Sequence, residues 1–128
     1  MSDRPNHRDS GALSLSYLII VPVFLLALMA ITQTAMWYLA RSAALAAARQ
    51  GVDAARVQPV SLPAGQTAAQ HFADISAAGY LINPSATSVE SGTTIVITVT
   101  GGVPSLVPGY PINVSEVAEA PVERFTTP

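Results

Sequence analysis

Hydrophobic and polar positions divide this chain into three stretches of different character. No charged side chain occurs from Ser10 to Ala40, a run bounded by Asp9 and Arg41 and built mostly of Leu, Ile, Val, Ala, Phe and Met. A membrane-spanning helix needs roughly 20 predominantly apolar residues, so this run is long enough. Its apolar part, Leu13 to Ile31, exceeds the roughly 7–15 residues of a secretory signal. The small-residue pattern Ala44-Leu45-Ala46 lies too far downstream for signal cleavage, so a lasting span is expected. Tyr17 stands near one end and Trp37-Tyr38 near the other. Along a helix Tyr17 and Tyr38 are about 32 Å apart, matching a hydrocarbon core of about 30 Å with interfacial aromatics. Pro22 lies inside the run, where its missing donor usually kinks a helix. Thr32, Gln33 and Thr34 introduce polarity toward the far end.

Helical character continues past Tyr38. Ala dominates from Ala40 to Val57, with Gly51 against it, and Ala is the best helix former. Ala12 to Val57 read as one helix would be about 70 Å long. Arg49, Asp53 and Arg56 recur at spacings that allow pairing on one side. Small residues form two other rows, Ala43, Ala47, Gly51 and Ala55, and Ala40, Ala44 and Ala48. Such rows let helices approach closely. They suit packing against a neighbouring helix and packing beneath the chain's own head, and the spacing leaves both open.

The remainder reads as a small α+β head. Pro59 to Gly65 is rich in Pro, Gly and Ser and predicts a linker. Ala68, Phe72 and Ile75 give a helix over Gln66–Ala78 one apolar face, with Gly79 as its C-cap. Ala86–Glu90, a Ser91-Gly92 turn and Thr93–Thr100 predict a hairpin. In the second strand Ile95, Ile97 and Val99 alternate with Thr94, Val96, Thr98 and Thr100, the pattern of a half-buried sheet. Gly101–Pro111 reads as a loop and Ile112–Ala120 as a third strand, with Ile112, Val114, Ala118 and Ala120 on one face and Glu116 interrupting it. The expected fold is a long transmembrane helix that continues as a stem, with a head of one short helix and about three antiparallel strands. Its parts are a segment 1–11, the helix and stem 12–57, a linker 58–65 and the head 66–128.

Composition narrows the function classes. The chain has 128 residues, half of them hydrophobic and 11% charged, few charges for a soluble domain. Beyond the helix lie roughly 70 residues, one small domain. A net charge of −2 with no basic stripe argues against a nucleic-acid partner. With no cysteine, disulfides, thiolate zinc sites, cysteine nucleophiles and cysteine-linked lipid anchors are excluded. Arginines flank both ends of the run, Arg4 and Arg8 before it and Arg41, Arg49 and Arg56 after it, so charge counting does not orient the span.

Candidate chemistry is sparse. His71 and Asp74 sit at i,i+3, too few groups for a metal site, and His7 lies in the polar N-terminal segment. Gly101-Gly102 is not part of a phosphate-binding pattern, and no G-x-S-x-G nucleophile motif occurs. Glu116, Glu119 and Glu123 read as solvating charges protecting a sheet edge. Asn113-Val114-Ser115 matches a glycosylation sequon, a short pattern that recurs by chance. No enzyme, cofactor or small-molecule substrate is expected.

Several segments together resemble the TadE-like pseudopilins of the tight-adherence pilus system. They are Arg8-Asp9-Ser10-Gly11, then Ala12-Leu13-Ser14-Leu15-Ser16-Tyr17 and the apolar run with Pro22. Trp37-Tyr38-Leu39-Ala40-Arg41, Ala46-Ala47-Ala48-Arg49-Gln50-Gly51 and Ala120-Pro121-Val122-Glu123-Arg124-Phe125 extend the resemblance along the chain. It implies a type IV prepilin: a cytoplasmic leader ending at Gly11 and a prepilin peptidase cutting between Gly11 and Ala12. It also implies an N-terminus inside, a head outside, and partnership with other Tad pilins or pseudopilins through the stem. Prepilins of this kind usually carry Glu five residues after the scissile Gly, followed by Tyr. This chain keeps Tyr17 but has Ser16. Ser16 cannot supply the charge taken to pair with a neighbouring subunit's amine, which favours a component that primes, caps or stays in the membrane.

Overall fold

The computed structural model describes residues 9–57 and 59–122. Five elements are present in chain order: helix α1 (Asp9–Ala55), helix α2 (Leu62–Ser76), and strands β1 (Ile82–Ser91), β2 (Thr94–Val103) and β3 (Ile112–Pro121). The strands form one antiparallel sheet in the order β1-β2-β3. This is the α+β architecture expected, with the long helix first. Contacts divide the chain into two compact units, Met1–Gln33 and Thr34–Pro128, and the division falls inside α1.

In the first unit α1 is an uninterrupted helix that contains Pro22. Its side chains from Ser14 to Ile31 are exposed. Thr32 satisfies its hydroxyl by donating to the Leu28 carbonyl at 2.9 Å, the usual way a helical Thr hides a polar group.

The second unit is a sheet covered on one face by two helices. Alternation along β2 is strict: Ile95, Ile97 and Val99 are fully buried, and Val103 and Gly101 follow them inward. Val114 of β3 and Ala86 of β1 complete that inner face. The helices meet it almost entirely with alanine: Ala40, Ala44, Ala47, Ala48, Val52 and Ala55 from α1, and Ala69, Ala73 and Ala77 around α2. Branched side chains on the sheet and methyl groups on the helices let both helices lie close to a narrow three-stranded layer. Each buried Ile or Val contributes about 1.5–3 kcal/mol.

Several boundaries differ from the expected ones, for physical reasons. Helix α1 stops at Ala55 because Pro59 comes shortly after and cannot continue a helix. Helix α2 begins at Leu62, four residues ahead of Gln66, inside the stretch expected to be a linker. Ser61 caps it, accepting from the Ala64 amide at 3.3 Å, and Pro63 occupies its first turn, where a missing N–H costs nothing. Its fully buried row is Gly65, Ala69 and Ala73; of the expected face, Phe72 packs half-buried against the core and Ala68 is half-buried, while Ile75 is not covered. Ile75, one turn past Phe72 near the end of the helix, is 63% exposed.

Gly79 is not the C-cap, which is Ala77; it takes φ +87 two residues later. There it occupies the third position of a tight turn closed by Tyr80 N donating to Ala77 O at 2.9 Å. Strand β1 starts at Ile82, earlier than Ala86, and shifts register between Ile82 and Ser85. Asn83 adopts φ 47 there, a conformation Asn tolerates better than most residues. The hairpin loop is Gly92-Thr93, with Ser91 pairing Thr94, and Gly92 at φ +63 takes the first loop position. Strand β2 runs on through Gly101-Gly102-Val103, which shortens the expected loop at its start.

Candidate functional site

Two features on α1 carry functional interest: its exposed apolar segment, and the point where it joins the second unit. Among the described residues, none covers the segment. Leu18 is 72% exposed, and Ile19, Val23, Phe24, Leu26 and Ile31 are exposed beside it. Among the described residues, one helix is long and apolar enough to cross a membrane by length and composition, and its apolar part is unburied within the chain. Exposed apolar surface on this scale marks contact with lipid or with another chain.

The residues expected to matter for processing and assembly all lie on this helix. Gly11 and Ala12 fall in its first turns, followed by Ser16, Tyr17 and Pro22. Ser16 and Tyr17 are exposed. The leader residues 1–8, with His7 and Arg8, and the C-terminal Glu123-Arg124-Phe125 lie outside the described residues.

The small row Ala43, Ala47, Gly51 and Ala55 is placed differently. Ala47, Gly51 and Ala55 are buried in the chain's own fold, and Ala43 is half-buried against the same core. A Cβ added to Gly51 would lie 2.7 Å from the Ala69 Cβ, 2.8 Å from the Gly65 carbonyl oxygen and 3.1 Å from Ile97 Cγ2. A Cβ added to Gly65 would lie 2.5 Å from the Ala55 Cβ and 2.7 Å from the Gly51 carbonyl oxygen. The two helices therefore cross backbone to backbone at Gly51 and Gly65. Of the two packing partners left open by the sequence, the chain's own head takes this row.

Past Tyr38, α1 presents a small polar cluster. Arg41 stacks over Trp37, its guanidinium carbon 5.5 Å from the ring centroid. The Arg41 Nε also donates to the Glu116 carboxylate. Glu116 lies opposite Val99 on the inner face of the sheet, and its side chain is only 15% exposed. It is therefore not an edge-solvating charge as its spacing with Glu119 and Glu123 implied; it faces α1 and neutralises the first charge after the apolar run. Farther along, Asp53 pairs with Arg56 at 3.0 Å.

Sequence reasoning also missed Gln70. Its amide donates to Pro84 O at 2.8 Å and to Asp74 Oδ1 at 3.0 Å, and its oxygen accepts from Ala86 N at 2.9 Å. Those bonds satisfy the backbone groups freed where β1 shifts register. Gln66 accepts from the Ser88 hydroxyl at 3.2 Å and extends the same link between α2 and β1. A glutamine on an exposed-looking helix face carries no signal of such a role. The Ser61-Leu62-Pro63 start of α2 did carry one, through its cap and first-turn proline.

The family model described as TadE-like protein matches residues 11–53. The match starts at Gly11 and covers the apolar segment, the Trp37–Arg41 exit and the small row as far as Asp53. Over this helix, about a third of the chain, the sequence is similar to that family, as the resemblance in the sequence implied. Neither a curated protein nor a solved structure matches the chain. The match and the candidate span fall on the same helix.

Proposed function

We propose that this chain is a TadE-like pseudopilin, a non-enzymatic, membrane-anchored component of Tad pilus assembly. The observation that carries the reading is the coincidence of the TadE-like match, residues 11–53, with the exposed apolar helix. In this reading the N-terminus is cytoplasmic and the head extracytoplasmic. A prepilin peptidase removes the segment through Gly11 and leaves Ala12 as the new N-terminus. Because the small row is enclosed by α2 and β2, partner pilins meet the exposed segment before Gln33 and not that row. Ser16 in place of a carboxylate suits a priming or capping component better than a repeated filament subunit.

Mass spectrometry of the protein from cells with and without an active prepilin peptidase tests this. The expected result is a mature chain beginning at Ala12 only where the peptidase is active, and a longer form for Gly11→Leu. An intact leader in peptidase-positive cells would instead favour the competing reading, an uncleaved single-pass protein whose head binds a partner or a cell-wall component.

A further inference from the structure

The second unit has two unlike ends. At the hairpin end, Glu90 and Glu119 stand near the Gly92-Thr93 turn, and Arg49, Asp53 and Arg56 lie on and just after the last turns of α1. The opposite end is formed by the 104–111 loop, the start of β1 and the Ala77–Leu81 turn. No charged residue occurs from Ile75 to Val89 or from Ser91 to Ser115. The nearest charge in sequence is Asp74, near the end of α2, where Gln70 bonds it.

That uncharged end is apolar and aromatic at its surface. Tyr110 is 67% exposed, and Tyr80, Ile82 and Val107 are exposed with it. The loop is held in shape. Tyr110 N donates to Val107 O at 3.3 Å across Pro108 and Gly109, and Gly109 takes φ +79. Pro second and a positive-φ Gly third is the arrangement of a type II turn. The Ser105 hydroxyl accepts from Val107 N at 3.2 Å and fixes the turn's entry.

The same end lies toward Trp37. Arg41 of α1 reaches Glu116, whereas Gly51 contacts Ile97, whose β3 partner is Ala118. Contacts along α1 thus move toward the hairpin as the helix proceeds, and Trp37 and Tyr38 lie toward the 104–111 loop. Trp and Tyr at the end of an apolar span mark the lipid–water interface. We infer that the 104–111 loop, with Tyr110, Val107, Ile82 and Tyr80, docks into the interfacial layer of the same bilayer that the helix crosses. The occupant is lipid: the surface lies toward Trp37 and Tyr38 at the end of the span, and the charges on its side are the paired Arg41 and Glu116 and the Gln70-bonded Asp74, while Arg49, Asp53, Arg56, Glu90 and Glu119 lie toward the other end. This inference rests on the reading of α1 as a membrane span.

Quenching by brominated acyl chains tests it on the full chain reconstituted in phosphatidylcholine–phosphatidylglycerol vesicles. Trp37 is the single tryptophan, so the unmodified protein reports the span's exit. A double variant, Trp37→Phe with Tyr110→Trp, moves the reporter to the loop. The expected result is that bromine quenches the loop reporter about as strongly as it quenches Trp37. Quenching of Trp37 with none of the loop reporter overturns the inference and leaves the span intact. Quenching at neither position overturns both. A blue-shifted loop reporter that bromine does not quench places a second copy over the loop and also overturns it. If the Tyr110→Trp chain loses its sheet signal in circular dichroism, nitroxide on Val107→Cys replaces it, with Ser91→Cys at the hairpin end as reference. The chain has no native cysteine to interfere. Oxygen broadening must then exceed nickel-chelate broadening at position 107 and not at 91; equal behaviour at both overturns the inference.

Discussion

Leu15 to Ile31 and Ala40 to Ala55 belong to one helix, yet the first stretch carries large exposed side chains and the second carries small buried ones. The exposed surface of the first and the buried face of the second are both apolar, so hydrophobicity alone does not separate these two surfaces. Side-chain size does. Lipid conforms to any contour, and large side chains gain most from transfer into it. A packed protein partner has a fixed surface, and only Ala and Gly let its backbone come close. Gly51 facing Gly65 is the extreme case, with each residue's missing Cβ occupied by the other's carbonyl oxygen.

The comparison breaks most readily at Ile97, which is fully buried. Ile97→Ala should destabilise the second unit by about 2–5 kcal/mol. Leu26→Ala, in the exposed stretch, should change that stability by less than about 0.5 kcal/mol. Denaturant unfolding in detergent, followed by the sheet's circular dichroism, reads both; similar losses would mean the two stretches are not distinct environments. Next in size, Gly51→Ala should cost about 1–3 kcal/mol by overpacking. Gly65→Ala should act at the same point, so the double variant should fall short of the summed losses, as expected for residues in contact. Additive losses would separate the two glycines. Smallest is Glu116→Gln. With Arg41 half-exposed, the pair should be worth under about 1 kcal/mol and weaken in high salt. A loss that salt does not change would point to packing and not charge.

Much of this was readable from residue order, where one local period decides the structure. The apolar run, the Ala-rich continuation and the alternation of Ile95, Ile97 and Val99 each reflect local geometry, and each appears as expected. What was hidden depends on partners distant in sequence. Two equally small rows on α1 can be told from a lipid- or subunit-facing surface only once α2 and β2 are in place. Glu116 has the same composition-level appearance as Glu119, yet one faces Arg41 across 75 residues and the other faces out. Gly65 read as linker because glycine usually breaks helices, while here it is the residue that lets two helices touch. The start of β1 at Ile82 was obscured by Asn83-Pro84, which ordinarily signals a turn and here lies at the register shift, with Gln70 bonding the strand just beyond it.

The link between Arg41 and Glu116 also carries an order in time. Arg41 emerges early in synthesis and its partner belongs to the last strand, 75 residues later. At roughly 5–20 residues per second, that is several seconds of chain growth. Throughout that interval the arginine at the end of the apolar run retains its charge without its carboxylate. It is neutralised only when the final hairpin closes. A chain truncated before β3 would keep α1 and lose this closing step, so the ion pair distinguishes a finished head from an unfinished one.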